Sequence, residues 1–392
     1  MSSSTPRESS ILIIAAEESS AHYGLRLLEH WKKSGRKVRA YGVGNRAMEA
    51  AGFEIMGYAE DLAVFGLFEI WTHWPKIKEA FHKVVEAART RKPDVILLMD
   101  YPGFNFRFTR KIKSLGIPIV YFIPPQVWAW KQGRVKFLRE MIDENLVLFP
   151  FEESFYKSHD VPVQFVGHPL LDEMKPELFE AENQRLNRRR FGIADDKVVL
   201  GLMPGSRQSE LKMNLETQIE TAKRLKSEIP NLSVVLLVAP NLSKDELARR
   251  LPSDTGVPIT MVKGEPFEMI GMADAILCAS GTATLMVGLM EKPMVIMYRM
   301  NPISAALAKR LVKSKFFGLA NLVMEREVAP ERFQGDANPV HLASLLKPLL
   351  TDSRLRGEKA GELREIKTKL GAKGAIGRLA ARLDKYLQGT ND

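Results

Sequence analysis

The chain predicts an α/β protein of two open domains, each built on a parallel sheet. Three observations carry that expectation. Short β-branched apolar runs alternate with amphipathic helical stretches along the chain, the pattern of βαβ units. At 392 residues it is long enough for two hydrophobic cores. A polar, charged stretch over 172–197, containing Pro176 and Arg188-Arg189-Arg190, separates two sets of strands.

In the first set the apolar runs place strands over 10–14, 38–43, 95–99, 117–122, 146–149 and 164–166. In the second they fall over 198–203, 234–239, 259–262, 275–279 and 294–298. From about Leu342 two Leu-rich segments read as helices and end in a polar terminus. The expected boundaries are 1–172 for an amino-terminal domain, 173–345 for a carboxyl-terminal domain and 346–392 for a helical tail. Two open α/β domains facing across a cleft place ligands at the carboxyl ends of the strands.

Composition narrows the class. Hydrophobic residues make up 45% of the chain, which marks a globular protein. The longest apolar runs, such as Ile11 to Ala16 and Val95 to Met99, fall far short of the roughly 20 residues a bilayer span needs. Met1 to Ser10 is polar and lacks the core of a signal peptide, so the expected place is the cytosol. The lone Cys278 excludes an internal disulfide and a thiolate metal cluster, and it reads as a small core residue.

The net charge is +10, from 57 basic and 47 acidic residues. Basic clusters stand at Arg107-Arg110-Lys111-Lys113, Lys131-Arg134-Lys136-Arg139, Arg185 to Arg190 and Lys309-Arg310-Lys313-Lys315. Each alone reads as a solvated helix face; together they suggest a polyanionic partner. No helix-turn-helix, zinc-finger or RNP-type aromatic pattern supports nucleic acid, so a membrane surface is the expected partner. The segment Leu62-Ala63-Val64-Phe65-Gly66-Leu67-Phe68-Glu69-Ile70-Trp71-Thr72-His73-Trp74 reads either as a core helix or as an interfacial patch. In the second reading Val64, Phe65, Leu67, Phe68, Trp71 and Trp74 enter the bilayer surface beside Lys76 and Lys78.

Two loops point to the ligand. Pro204-Gly205-Ser206-Arg207 and Ser280-Gly281-Thr282-Ala283-Thr284 each follow a strand and open a helical stretch. A small-residue turn there lets phosphate oxygens approach backbone N–H groups at the positive end of a helix dipole. Two such loops in one half, one ending in Arg207, suggest a nucleotide diphosphate gripped from two sides. A guanidinium stays charged and forks onto two oxygens; the competing role for Arg207 is an ion pair with Glu210.

Asp100 directly follows Val95-Ile96-Leu97-Leu98-Met99, where partial desolvation raises a carboxylate's pKa and suits it to general-base work. Its alternative is a turn or cap aspartate. Glu17 and Ser19 follow the first strand and so fall in the first ligand-facing loop. Trp128 and Trp130 in Gln126-Val127-Trp128-Ala129-Trp130-Lys131 read as packing, and His168 in Gly167-His168-Pro169 as a turn residue or a cleft residue. No HExxH, Cys/His cluster or strand-end Asp-x-Asp is present, so no metal or cofactor is expected. Neutralising a leaving diphosphate then falls to helix dipoles and Arg207.

These segments, in this order, resemble the lipid-A-disaccharide synthase family, inverting glycosyltransferases of GT-B architecture with two Rossmann-like domains. The resemblance rests on Gly42-Val43-Gly44-Asn45, Asp100-Tyr101-Pro102-Gly103-Phe104-Asn105, Val127-Trp128-Ala129-Trp130 and Pro150-Phe151-Glu152. It continues through Gly167-His168-Pro169-Leu170, Pro204 to Arg207, Ser280 to Leu285, Ala308 to Lys313, Asn321-Leu322 and Pro330-Glu331. It implies that UDP-2,3-diacylglucosamine donates its sugar to 2,3-diacylglucosamine 1-phosphate, with Asp100 as the base. It also implies that Gly205, Ser206, Arg207 and the loop Ser280, Gly281, Thr282, Ala283 and Thr284 hold the diphosphate, with Asn321 near donor or acceptor. A homodimer, with the tail 346–392 packing back or exchanged between protomers, and a peripheral place on the cytoplasmic face of the inner membrane are further implications. The chain departs from the family pattern at Met286, where a ribose-binding glutamate is usual, at Ala21 and Gly103, where aspartates are usual, and at Ala320, where a proline is usual. Those departures leave open another UDP-sugar or acceptor, or a non-catalytic lipid- or nucleotide-binding relative.

Overall fold

The computed structural model describes residues 9–62, 67–129, 132–301, 305 and 315–387; over 67–73 it describes the helical backbone alone. The chain forms two compact units. One runs to Asp172 and resumes at Ala372, and the other spans Glu173–Gly371.

The first unit is a parallel sheet of seven strands: β1 (Ser10–Ala15), β2 (Arg39–Gly44), β3 (Glu54–Tyr58), β4 (Val95–Met99), β5 (Ile119–Phe122), β6 (Glu144–Val147) and β7 (Val163–Phe165). Their order is β3-β2-β1-β4-β5-β6-β7. β1 and β4 are fully buried along their length, which is why they read as unbroken apolar runs. The order reverses between these two strands, where Ala15 pairs in register with Met99. A crevice opens at such a reversal beyond the carboxyl ends of the strands, and Glu17 and Asp100 are at its two lips.

The second unit repeats the plan with six parallel strands: β8 (Val198–Met203), β9 (Leu232–Leu237), β10 (Ile259–Val262), β11 (Ala275–Ala279), β12 (Met294–Tyr298) and β13 (Glu331–Phe333). The order β10-β9-β8-β11-β12-β13 reverses between β8 and β11, with Met203 beside Cys278. The two small-residue loops therefore leave neighbouring strands on either side of one reversal. Cys278 is wholly buried, and burial pushes its thiol far up from the ordinary value.

β3 and β13 were not anticipated from the sequence. Both are edge strands whose residues are mostly half-buried and mixed in polarity, so they show neither alternation nor an apolar run. The charged stretch over 172–197 holds the helix Ala181–Arg190, which belongs to the second unit; Arg188 donates to the Met272 carbonyl (2.8 Å) and pairs with Asp274 (3.1 Å).

The tail is divided. Helices Pro339–Thr351 and Ser353–Leu370 stay with the second unit, while Ala375–Leu383 returns to the first and packs on helix Glu18–Lys33. The return is tied by polar contacts within the first unit. The Asp172 carboxylate accepts from the backbone N–H groups of Gly374 and Ile376, at the start of the returning helix. Arg378 donates to the carbonyls of Val166 (2.8 Å), Lys373 (2.8 Å) and Ala372 (2.7 Å). Buried Glu144 receives the Tyr386 hydroxyl (3.1 Å) and the Arg382 guanidinium.

Candidate functional site

In the first unit the backbone turns sharply after β4. Asp100 and Tyr101 both take left-handed conformations, φ 47° and 44°, which non-glycine residues adopt only when their surroundings impose it. The restraints are visible. The Asp100 carbonyl accepts from the Tyr121 hydroxyl (2.6 Å) and from the Asn105 side-chain amide (2.6 Å), both residues buried. The Asp100 N–H reaches the Phe122 carbonyl (3.3 Å), and the Tyr101 hydroxyl donates to the Leu62 carbonyl (2.7 Å). With its main chain held on the sheet side, Asp100 is left half-buried. Its Oδ1 accepts from the Tyr101 N–H (2.9 Å).

Burial raises the Tyr101 hydroxyl above the usual phenol value, and the charge of the Glu17 carboxylate raises it further. Burial likewise lifts the Tyr121 hydroxyl far up, and it stays a neutral donor. Glu17 is half-buried at the start of helix Glu18–Lys33, where the Ser20 hydroxyl bridges its N–H (3.1 Å) and carbonyl (2.7 Å). Ser19 is exposed on the first turn.

The second unit uses the same construction. Helix Gln208–Glu228 presents buried Asn214 and Gln218 one turn apart, and they donate to the carbonyls of Pro204 (3.1 Å) and Met203 (3.2 Å). The loop that follows holds an anion already. The Glu210 carboxylate accepts from the Ser206 N–H (2.9 Å), the Arg207 N–H (3.2 Å) and the Arg207 guanidinium (3.1 Å). Gly205, at φ 121°, is required: a Cβ there would stand 2.5 Å from the Cβ and Oε2 of Glu210. The ion pair with Glu210, the competing role for Arg207, is formed. The loop is an anion nest with an internal carboxylate seated in it, and half of the Arg207 side chain is exposed beside it.

The other loop is narrower than expected. The Ser280 hydroxyl donates to the Phe317 carbonyl (2.9 Å). Buried Thr284 donates to the Gly281 carbonyl (2.8 Å) and accepts from the Leu319 N–H (3.0 Å). Those hydroxyls brace the unit from within. What the loop exposes is Gly281 and Thr282, with half-buried Ala283, at the start of helix Thr282–Leu289. The first N–H groups of a helix lack intrahelical acceptors, and here that of Thr284 turns back to the Gly281 carbonyl (3.1 Å). Met286 lies half-buried one turn on.

Two further candidate residues are turned inward, His168 in the turn role that its sequence context offered. Asn321 is wholly buried and all four of its polar contacts are internal. Its amide nitrogen donates to the Ala329 carbonyl (2.7 Å) and Glu331 (2.7 Å), and its oxygen accepts from the N–H groups of Val328 (2.8 Å) and Ala329 (3.0 Å). His168 is 2% exposed, its Nδ1 accepts from the Leu170 N–H (3.2 Å), and burial pulls its pKa to about 3. It is a neutral turn residue. Val64 and Phe65 of the interfacial segment lie outside the described residues, as do the side chains of Leu67, Phe68 and Trp71; Trp74 is 49% exposed.

The two-sheet architecture has solved counterparts. The structure of UDP-GlcNAc 2-epimerase from Neisseria meningitidis bound to UDP-GlcNAc matches with a TM-score of 0.61 at 12% identity, over 96% of this chain and 99% of that one. The glycosyltransferase of kitacinnamycin matches with a TM-score of 0.58 at 17% identity, over 98% and 100%. Fold and strand-end loops define the class as a GT-B protein, the architecture of sugar-nucleotide glycosyltransferases and related epimerases.

Sequence similarity is more particular. The family model for lipid-A-disaccharide synthetase matches residues 11–375. The lipid-A-disaccharide synthase of Anaeromyxobacter sp. (strain K) is 37% identical over 370 residues, 94% of this chain and 95% of that protein. That of Nitrosococcus oceani is 36% identical over 381 residues, covering 97% of each. The chain belongs to the lipid-A-disaccharide synthetase family and is a glycosyltransferase of lipid A biosynthesis.

Proposed function

We propose that the protein joins UDP-2,3-diacylglucosamine to 2,3-diacylglucosamine 1-phosphate, releasing UDP and inverting the donor's anomeric centre. The observation that carries this reading is the placement of the Arg207 loop and the Gly281–Ala283 turn on the two sides of the β8/β11 reversal. A diphosphate set there meets a guanidinium and the exposed start of helix Thr282–Leu289, whose dipole favours the negative charge growing on the leaving UDP. The Ser206 and Arg207 N–H groups already serve the Glu210 carboxylate, so what this loop offers a diphosphate is the half-exposed Arg207 side chain.

The acceptor's 6-hydroxyl oxygen forms the new bond to the anomeric carbon as the bond to the donor's phosphate oxygen breaks. Its proton passes to the Asp100 carboxylate. The left-handed turn suits that role, because it fixes the backbone by its carbonyl and keeps the carboxylate at the crevice lip. Glu17 follows β1 at the other lip of the same reversal, and its charge reaches Tyr101 beside Asp100.

Both lipid-linked substrates call for access to a membrane surface. No helix among the described residues is long and apolar enough to cross a membrane. The first unit instead carries exposed Trp74 on helix Leu67–Arg91, which packs on helix Pro102–Ile112. That second helix exposes Arg107, Arg110 and Lys111 along one stripe. Arg110 covers Phe137 (5.2 Å) and Arg134 covers Phe106 (5.4 Å), so the stripe continues onto helix Val135–Met141 with exposed Lys136 and Arg139. Such a basic surface with an exposed indole fits the headgroups of the cytoplasmic leaflet. A homodimer belongs to the same reading.

The deciding experiment incubates the purified protein with both substrates and looks for the disaccharide 1-phosphate and UDP. Asp100→Asn is expected to lose 10²-fold or more in turnover, the order of a general-base contribution. Near-normal turnover by that variant removes Asp100 as the base, and absence of disaccharide from folded wild type removes the substrate pair.

A further inference from the structure

One buried carboxylate in the first unit has no part in the chemistry above. Glu152 is 5% exposed on the first turn of helix Pro150–Lys157, beyond the carboxyl end of β6. Its Oε2 accepts from the N–H groups of Leu148 (3.3 Å) and Phe149 (3.2 Å). Its Oε1 accepts from the indole N–H of Trp128 (3.0 Å), in the loop that leaves β5. Donors converge on both oxygens, so the site requires a group that only accepts. A glutamine amide would turn its own N–H toward one of them.

The loop is pinned a second time by the Tyr156 hydroxyl, which donates to the Pro125 carbonyl (2.8 Å). Around Trp128 the rings form a continuous wall. Phe151 meets the indole edge-on (4.9 Å, 87°), Phe149 stacks on Phe151 (5.5 Å, 11°), and His168 lies behind Phe149 (5.4 Å). These residues follow β5, β6 and β7 on the side of the sheet where Asp100 follows β4. Trp128 remains half-buried.

We propose that Trp128 is the platform for the pyranose ring of the acceptor and that Glu152 is its positioning residue, clamping the indole N–H so that the ring is held rigid at the ligand end of the sheet. The inference rests on the acceptor assignment above. An indole whose only donor is spent inside the protein offers a partner its apolar π-surface, which suits the C–H face of a sugar. A ring that is already immobile loses little entropy when the sugar settles on it.

The clamp is also sensitive to pH. Burial pushes the Glu152 carboxyl up to about 7, against the opposing pull of its three hydrogen bonds. Protonation places an O–H on one oxygen and costs that oxygen an N–H partner. The titratable neighbours stay neutral: burial lifts the Tyr156 hydroxyl, and His168 is uncharged down to about pH 3. Glu153 on the same helix accepts from the Phe165 N–H (3.2 Å) and pairs with Lys157 (3.2 Å).

The test measures Michaelis constants for acceptor and donor separately in wild type, Trp128→Ala, Trp128→Phe and Glu152→Gln. Tryptophan fluorescence is titrated in parallel with 2,3-diacylglucosamine 1-phosphate. We expect the acceptor KM to rise about tenfold in Trp128→Ala and severalfold in Glu152→Gln, with the donor KM unchanged. We expect acceptor-induced quenching that disappears in Trp128→Phe, and a rise in acceptor KM below about pH 7 that Glu152→Gln abolishes. An unchanged acceptor KM in Trp128→Ala overturns the proposal. So does an equal change in both constants, which marks a structural role alone. The fluorescence arm needs no turnover: if wild type makes no disaccharide, the reaction assignment fails while loss of quenching in Trp128→Phe still supports the platform. Equal quenching in wild type and Trp128→Phe overturns it.

Discussion

Replacing Asn321 by alanine separates a buried brace from a ligand contact. The side chain satisfies the N–H groups of Val328 and Ala329 and donates to the Ala329 carbonyl and Glu331. Alanine leaves two buried backbone donors without that acceptor, each costing about 1–3 kcal/mol. The expected loss of stability is about 2–5 kcal/mol, before any relaxation that admits water. Glu331, which burial raises above the usual carboxylate value, would keep the N–H groups of Phe317 (2.8 Å) and Gly318 (3.0 Å) but lose its amide partner. Urea unfolding reads the effect as a lower midpoint at unchanged slope. Asn321→Asp is the companion variant: it can still accept from both N–H groups but sets a second carboxylate against Glu331. UDP binding, measured by calorimetry at a temperature where the variant is folded, should stay within about threefold of wild type, under 1 kcal/mol. A stability change below about 0.5 kcal/mol would refute the brace, since surface substitutions stay within that range. Normal stability with lost UDP binding would restore Asn321 to the ligand.

Arg207→Ala should do the opposite. Its pair with Glu210 is half-exposed, so unfolding free energy should change by less than about 1 kcal/mol. UDP affinity should fall roughly 10- to 100-fold by calorimetry, the value of a charge-assisted bond of about 1.5–3 kcal/mol. Met286→Glu places a carboxylate where a ribose contact is expected; tighter UDP binding by a similar factor is the expected result, and no change would show that the ribose lies elsewhere. For Glu152 the folded pKa is raised, so between about pH 4.5 and 7 the folded state holds the extra proton and stability falls as pH rises through that window. The difference in unfolding free energy between wild type and Glu152→Gln should drift against wild type by about 3 kcal/mol over that range and level off above pH 7.

Much of the architecture was legible before any coordinates. The fully buried strands announced themselves as apolar runs, and a small-residue turn after such a run marked the carboxyl end of each sheet. Edge strands β3 and β13 gave no such signal because their short sequences mix charged and apolar residues and are mostly half-buried. The tail's Leu-rich helices were visible too, but composition did not say that two belong to the second unit and Ala375–Leu383 to the first. That division depends on pairings such as Asp172 with Gly374 and Glu144 with Tyr386, some 200 residues apart in the chain.

The site divides along the same line. From sequence alone the chain determined which residues stand at strand ends: Glu17, Asp100, the Arg207 loop and the Gly281 turn. Apolar periodicity records which segments are buried, and strand ends follow from it. Only the tertiary structure decided what each polar group there is bound to. It turned Asn321 and His168 inward, spent the Ser280 and Thr284 hydroxyls on the interior, seated Glu210 in the nest beside Arg207, and clamped Trp128 to Glu152. A buried polar atom must find a partner, and the partner is a carbonyl, N–H or side chain that packing brings from elsewhere in the chain. Residue type and spacing carry no record of that choice.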